Sequence, residues 1–260
     1  AAALAALGLG ALAFNLTRER EDEVWNRIQE RGVFTVATDA SYPPFSVYDE
    51  NGNLFGFDVD LADAIGRRWG VRVEFEDITY DSLLAALISR RDDAVLSAFV
   101  PQPERAEEIA YTRPYFVSGA ALVVRAEGGE PLTGEPLDWA AGKTLAVEYG
   151  AGGDALARHW ARRAPGITLL PLPTAAEALA AVEEGRADAA VVDAISAYDY
   201  LLSRPALRLA GPLLEPEPYV IAVDVRSRRL LRALEDALAA MEADGTLPAL
   251  RVKWFGEAAR

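Results

Sequence analysis

The chain has 260 residues, 51% of them apolar, enough for one large α/β domain or two small ones with a real core. Its 40 acidic and 26 basic side chains leave a formal charge of -14, which repels polyanions over most of the surface and argues against nucleic acid as a partner. With no cysteine and His159 as the single histidine, disulfides, thiolate chemistry, cysteine lipidation and a His-based zinc site are excluded, and no cofactor or metal is expected.

The N-terminal run AAALAALGLGALAF is uncharged, and the first charge is Arg18. As a helix, residues 1–17 would reach about 25 Å, somewhat short of a bilayer core. An export signal with ALA at 11–13 as a small-x-small cleavage pattern, an uncleaved anchor, and an Ala-rich soluble helix are the three readings. The first two are favoured because a soluble helix shows a polar face, and they place the rest of the chain outside the cytoplasm, touching a membrane only through this segment.

After the charged stretch at 17–32, strand-like and helical runs alternate, the pattern of α/β architecture. VFTVAT (33–38) reads as a strand, FDVDLADAIGRRWG as a helix closed by Gly70, VRVEFEDI (71–78) as an alternating strand, YDSLLAALISRR as a helix and DAVLSAF as a strand. Between SYPPF and the first of these helices, DENGN reads as a hairpin turn. A second series begins near 143: KTLAVEYG, the helical GDALARHWARRA, ITLLPLP, a helix in TAAEALAAVEEGRA with Thr174 as N-cap and Glu177 at its third position, and DAAVVDA. Each series closes on a strand starting with Asp-Ala, so one architecture is used twice, with parallel sheets whose ligands sit at the carboxyl ends of strands. Apolar strand-like runs at 120–124 and 215–225 link the halves and would act as a hinge, with a cleft between the lobes suited to a small molecule.

The pieces TDASYPPFS, GNLFGFDVDLADAI, DSLLAALISRRDDAVLSA, PERAEEIAYTRPYFVSGAALVV, EALAAVEEGRADAAVVDAISAYDYL, PYVIAV and ALAAMEADGTLPALRVKWFG run in register from about 24 to 256. Together they resemble the extracytoplasmic solute-binding proteins, family 3, of polar amino-acid ABC transporters. The resemblance implies a type II periplasmic-binding fold: two α/β lobes joined by a two-strand hinge, with the ligand cleft between them. Lobe 1 would comprise 24–118 and the return segment 219–260, and lobe 2 would comprise 119–218, after a signal or anchor at 1–17. It further implies an amino-acid ligand, a membrane permease as partner, and a monomer.

A zwitterionic ligand needs a cation for its carboxylate, an anion for its ammonium and a pocket for its side chain. The resemblance assigns the carboxylate to Arg105, whose planar fork suits bidentate binding. The alternative for Arg105 is a surface ion pair with Glu104 or Glu108. It assigns the ammonium to Asp193, which also reads as a helix N-cap. Tyr42 and Phe57 match the two aromatics that sandwich the ligand side chain, and Phe45 and Phe55 read as core. Asp39 and Glu148 would add two acids to the side-chain pocket and so favour arginine, lysine or histidine, although Glu148 also reads as solvent-facing. Ser97, Ala98 and Val100 line the α-group subsite, where Val100 stands in place of the family's usual hydroxyl. Around Gly152, the run GAGG replaces the usual hydroxylated turn, and the N–H groups of Ala151, Gly152 and Gly153 would serve instead.

The competing readings are a dehydratase on the same scaffold acting on prephenate or arogenate, with Glu148 as the only evident general acid, and a binder of another cationic solute such as a polyamine or betaine. No acid-base pair or nucleophile constellation is evident, so no enzyme activity is expected. A sensor module is disfavoured, since no signalling sequence follows WFGEAAR.

Overall fold

The chain repeats one sheet layout, and in each copy an aspartate just before the third strand of the series ties that strand to the first. The computed structural model describes residues 23–259, and the expected signal or anchor segment lies outside them. A helix over 23–31 (α1) leads into β1 (Val33–Thr38), the small strands β2 (Ser41–Tyr42), β3 (Ser46–Tyr48) and β4 (Leu54–Phe55), helix α2 (Phe57–Trp69), and β5 (Arg72–Asp77). Helix α3 (Leu83–Ile88), β6 (Ala94–Val95) and β7 (Ile109–Tyr111) follow. Then come β8 (Phe116–Arg125), α4 (Pro136–Ala140), β9 (Thr144–Glu148), α5 (Gly152–Ala161), β10 (Thr168–Leu172), α6 (Ala175–Glu183), β11 (Ala189–Asp193), α7 (Ala194–Leu201) and β12 (Leu207–Leu209). The chain ends with β13 (Leu214–Tyr219), β14 (Ala222–Asp224), α8 (Arg228–Ala243) and α9 (Thr246–Phe255).

Two compact units result. The first runs to Phe116 and takes up Pro218–Leu250, and the second comprises Val117–Glu217 and the residues from Arg251 onward. The terminal segment groups with the second unit because the Phe255 ring packs on Tyr198 of α7, 6.2 Å between centroids.

The five-stranded sheet of the first unit has the order β5-β1-β6-β14-β7, with β1 parallel to β5 and β6, and β14 antiparallel to its neighbours. In the second unit the order is β10-β9-β11-β8-β12, with β9 parallel to β10 and β11, and β8 antiparallel. Both sheets therefore place the second strand of the series on one side of the first and the third on the other. The connection after the first strand and the one after the second therefore run in opposite directions across the sheet, and the switch point lies at the carboxyl ends of β1 and β6, or of β9 and β11.

The recurrent Asp-Ala pins these strands. Asp93 takes the Thr35 N–H on Oδ2 (2.9 Å) while its own N–H meets the Thr35 carbonyl (2.9 Å). Asp188 does the same at Thr144, at 2.8 and 2.9 Å. The Thr174 hydroxyl accepts the Glu177 N–H at 3.2 Å, as the capping pattern predicts.

The strand expected over DAVLSAF shortens to Ala94–Val95, because the chain turns at Ala98, whose φ of 45 no strand tolerates. The run at 215–225 divides into β13 and β14. Leu83, Leu87, Val95 and Phe99 form one core, and Leu122, Trp139, Val147, Trp160 and Val191 another. Among the described residues, no helix is long and apolar enough to cross a membrane.

Candidate functional site

In the first unit, the carboxyl ends of β1 and β6 open on a cavity of 350 Å³ lined by Asp39, Ser41, Tyr42, Tyr80, Ser97, Ala98, Val100 and Tyr219. Five expected residues, Asp39, Tyr42, Ser97, Ala98 and Val100, thus share one wall system. Asp39 ties it together: its N–H donates to Ser97 Oγ (3.0 Å), Oδ1 accepts from the Ser41 N–H (3.0 Å) and Oδ2 from the Tyr80 N–H (2.7 Å). Each carboxylate oxygen retains a further lone pair, so Asp39 can brace three segments and still present negative charge to the cavity.

Phe57 does not belong to that wall. It is 0% exposed and packs edge-on against Phe45 at 5.9 Å, with Tyr115 and Phe116 beside it. The reason is helical period: Phe57, Leu61 and Ile65 form the buried stripe of α2. Phe55, expected in the core, is 40% exposed, because β4 pairs only with β3, Val47 opposite Phe55. The turn before it forms as expected, with Asp49 Oδ1 accepting from the Asn51 and Asn53 N–H groups (both 2.8 Å).

Besides Tyr42 and Tyr219, Tyr80 reaches the cavity, 39% exposed and stacked on buried Phe99 at 5.5 Å. Tyr42, 43% exposed, stacks on buried Phe45 at 5.4 Å and 9°. Each exposed ring is held flat by a phenylalanine behind it, which presents a rigid π face at low entropic cost. Tyr80 was legible in principle: ITYDS places an aromatic just past β5, the strand beside β1, whereas Phe57 sits on an apolar stripe. Tyr80→Ala is therefore expected to weaken ligand binding at least tenfold by isothermal titration with little change in melting temperature. Phe57→Ala is expected to cost about 3–5 kcal/mol of stability in urea unfolding. The reverse pattern would return Phe57 to the wall.

Arg105 lies elsewhere. It sits on the turn Pro103–Arg105 and lines a second cavity of 530 Å³ that shares Tyr80, and its Nε pairs with Glu108 Oε2 at 2.7 Å.

In the second unit, Glu148 and Asp193 end the neighbouring parallel strands β9 and β11, at that sheet's switch point. Asp193 is exposed and caps α7, its Oδ1 accepting the Ser196 N–H at 2.8 Å, so the capping reading holds and uses one of two oxygens. Gly152 opens α5, where the first N–H groups have no intrahelical acceptor. The Ala151 N–H, expected to serve a ligand carboxylate, instead meets the Glu148 carbonyl at 3.2 Å. Buried Asp154 stabilises the turn by accepting the Gly150 N–H at 3.0 Å. Burial would raise its carboxyl, but Gly150 and Arg158 outweigh that and hold it below the usual range. Between these groups Tyr149 stands 72% exposed, with Arg158 over its ring at 5.9 Å. Among the described residues, no three His, Cys, Asp or Glu side chains group to hold a metal ion.

This chain belongs to the Bacterial extracellular solute-binding proteins, family 3, whose sequence model matches residues 34–257. It is similar to a probable amino-acid ABC transporter-binding protein of Haemophilus influenzae, 29% identical over 255 residues, covering 96% of this chain and 95% of that one. It is also similar to the L-cystine-binding protein TcyJ of Escherichia coli K12, 32% identical over 238 residues, covering 91% and 87%. Among solved structures, an ancestral cationic amino acid solute binding protein (AncCDT-1) superposes with a TM-score of 0.67 at 31% identity, covering 88% of this chain and 98% of that one. The family is extracellular, and the expected two α/β lobes correspond to the two sheet-containing units.

Proposed function

We propose that the protein is an extracytoplasmic receptor that binds a polar amino acid, by preference a basic one, and delivers it to an ABC transporter permease. The observation that carries the reading is the first-unit cavity, in which Tyr42 and Tyr80 present backed aromatic faces beside the Asp39 carboxylate. Two π faces and an anion suit a guanidinium or ammonium side chain. The name of the ancestral cationic amino acid binder supports the same preference. Arg105 is assigned the ligand carboxylate, which requires it to leave Glu108, and Asp193 the ammonium through the oxygen that its cap does not use. Glu148, Ser97, Ala98, Val100 and Gly152 complete the assignment.

A second reading is L-cystine, favoured by the 32% identity to TcyJ; its disulfide would rest on the same aromatic faces. A thermal-shift panel of L-arginine, L-lysine, L-histidine, L-glutamine, L-cystine and spermidine separates them, since a specific ligand raises the melting point by mass action. L-Arginine is expected to give the largest shift, and Arg105→Ala or Asp193→Ala to weaken its binding by on the order of a hundredfold or more. A shift with L-cystine alone replaces the basic ligand. Turnover of prephenate or arogenate overturns the receptor reading.

A further inference from the structure

Asp58 is 1% exposed, carries no ion pair among the described residues, and does not line the cavity. It lies on the first turn of α2, which starts hard against the hairpin: the Asp58 N–H meets the Phe45 carbonyl at 2.9 Å. That approach depends on Gly56, with φ 146, where a Cβ would stand 2.0 Å from the same carbonyl oxygen. Asp58 Oδ2 accepts the Ala98 N–H at 2.7 Å, and the Tyr115 hydroxyl oxygen lies 3.1 Å from the same nitrogen.

Ala98 is in the left-handed region, φ 45, which disfavours any residue with a Cβ unless its surroundings enforce it. Ser97, next to it, holds the Asp39 N–H, and Asp39 holds Ser41 and Tyr80. Joined through the Ser97–Ala98 peptide, these hydrogen bonds link the buried carboxylate to the aromatic face of the cavity.

Building on the proposed receptor function, we propose that Asp58 is a positioning residue for the ligand: as a carboxylate it holds the Ser97–Ala98 turn in the conformation that shapes the cavity wall. Ala98 can offer only a donor, so the ionised form is the one that serves; a protonated carboxyl is a weaker acceptor. Burial pushes the Asp58 carboxyl up to about 7, partly offset by the Ala98 N–H and Tyr115. The titratable groups facing it are Tyr115 and, beside Tyr115, Tyr219. The turn is then tightest above neutrality.

The test is calorimetric binding of L-arginine, and of L-cystine where L-arginine is silent, from pH 5.5 to 8.5 to the wild type, Asp58→Asn and Tyr115→Phe, with the Ala98 amide followed by ¹⁵N NMR. The wild type is expected to gain on the order of tenfold in affinity as pH rises through neutrality. Asp58→Asn should bind weakly at every pH, and Tyr115→Phe should keep the profile with its midpoint displaced. The wild-type Ala98 amide should titrate near neutrality, and its signal should stay flat in Asp58→Asn. Wild-type affinity and an unchanged profile in Asp58→Asn would overturn the proposal. If neither amino acid binds the wild type, the receptor reading fails while the Ala98 titration still decides the role of Asp58. A flat wild-type amide refutes that role, and this readout remains should Asp58→Asn not fold.

Discussion

Gly153→Ala is expected to destabilise the second unit by about 3 kcal/mol or more in urea unfolding, while Gly152→Ala, one residue earlier, is expected to be neutral or stabilising by about 0.5 kcal/mol. A Cβ on Gly153 would stand 2.2 Å from the Val191 carbonyl oxygen and 2.8 Å from its carbon. Both atoms are backbone of β11, which lies between β9 and β8 in the sheet, so neither can yield without breaking ladder hydrogen bonds. A Cβ on Gly152 meets nothing within 4 Å. The close approach also seats the N-terminus of α5 beside the strand that ends in Asp193. A melting point for Gly153→Ala within about 2 °C of wild type would mean that α5 is free to slide on the sheet.

The wild type is expected to lose stability as pH rises from about 4 to about 7, and Asp58→Asn to remove the greater part of that loss. The sign follows from linkage: the native Asp58 carboxyl titrates near 7, whereas in the unfolded chain it titrates near 4, so over this window the native state binds the extra proton. Stability is greatest at the acid end, falls through the window and levels off above the native value, with a full amplitude on the order of 4 kcal/mol. Asp92, which burial pushes up to about 6, acts in the same direction, but it is present in both proteins and drops out of their difference. Urea unfolding of the two proteins at pH 5 and pH 8 measures it, and equal pH dependence would show that Asp58 is solvated in the native state. Ionisation that costs stability while holding the Ser97–Ala98 turn is the trade that the positioning role proposed for Asp58 requires.

Much of the architecture was legible from local pattern. Strands β1, β9 and β11, the Thr174 cap and the Asp49 hairpin turn depend on short continuous apolar runs and short-range hydrogen bonds, which need only neighbours in sequence. Asp-Ala at 93–94 and 188–189 marked the repeated strand, and the structure supplies the reason in paired hydrogen bonds to Thr35 and Thr144. The placement of the candidate residues was legible where it follows strand ends: Asp39, Ser97, Ala98, Glu148 and Asp193 all stand at or just past carboxyl ends set by the sheet order. The aromatics were legible only in part: Tyr42 lines the cavity as expected, whereas Phe57 falls on the buried stripe of α2 and Phe55, two residues earlier, is exposed on β4, which pairs only with β3.

Composition and spacing by themselves determined a cysteine-free, acidic chain of two similar α/β series. Tertiary structure alone decided that Arg105 is paired with Glu108 and that a buried aspartate forty residues away holds the turn at Ala98. Propensity and periodicity act within a few residues of chain. Which side chain is buried, and which carboxylate is kept from water, is set by long-range packing that no local pattern encodes.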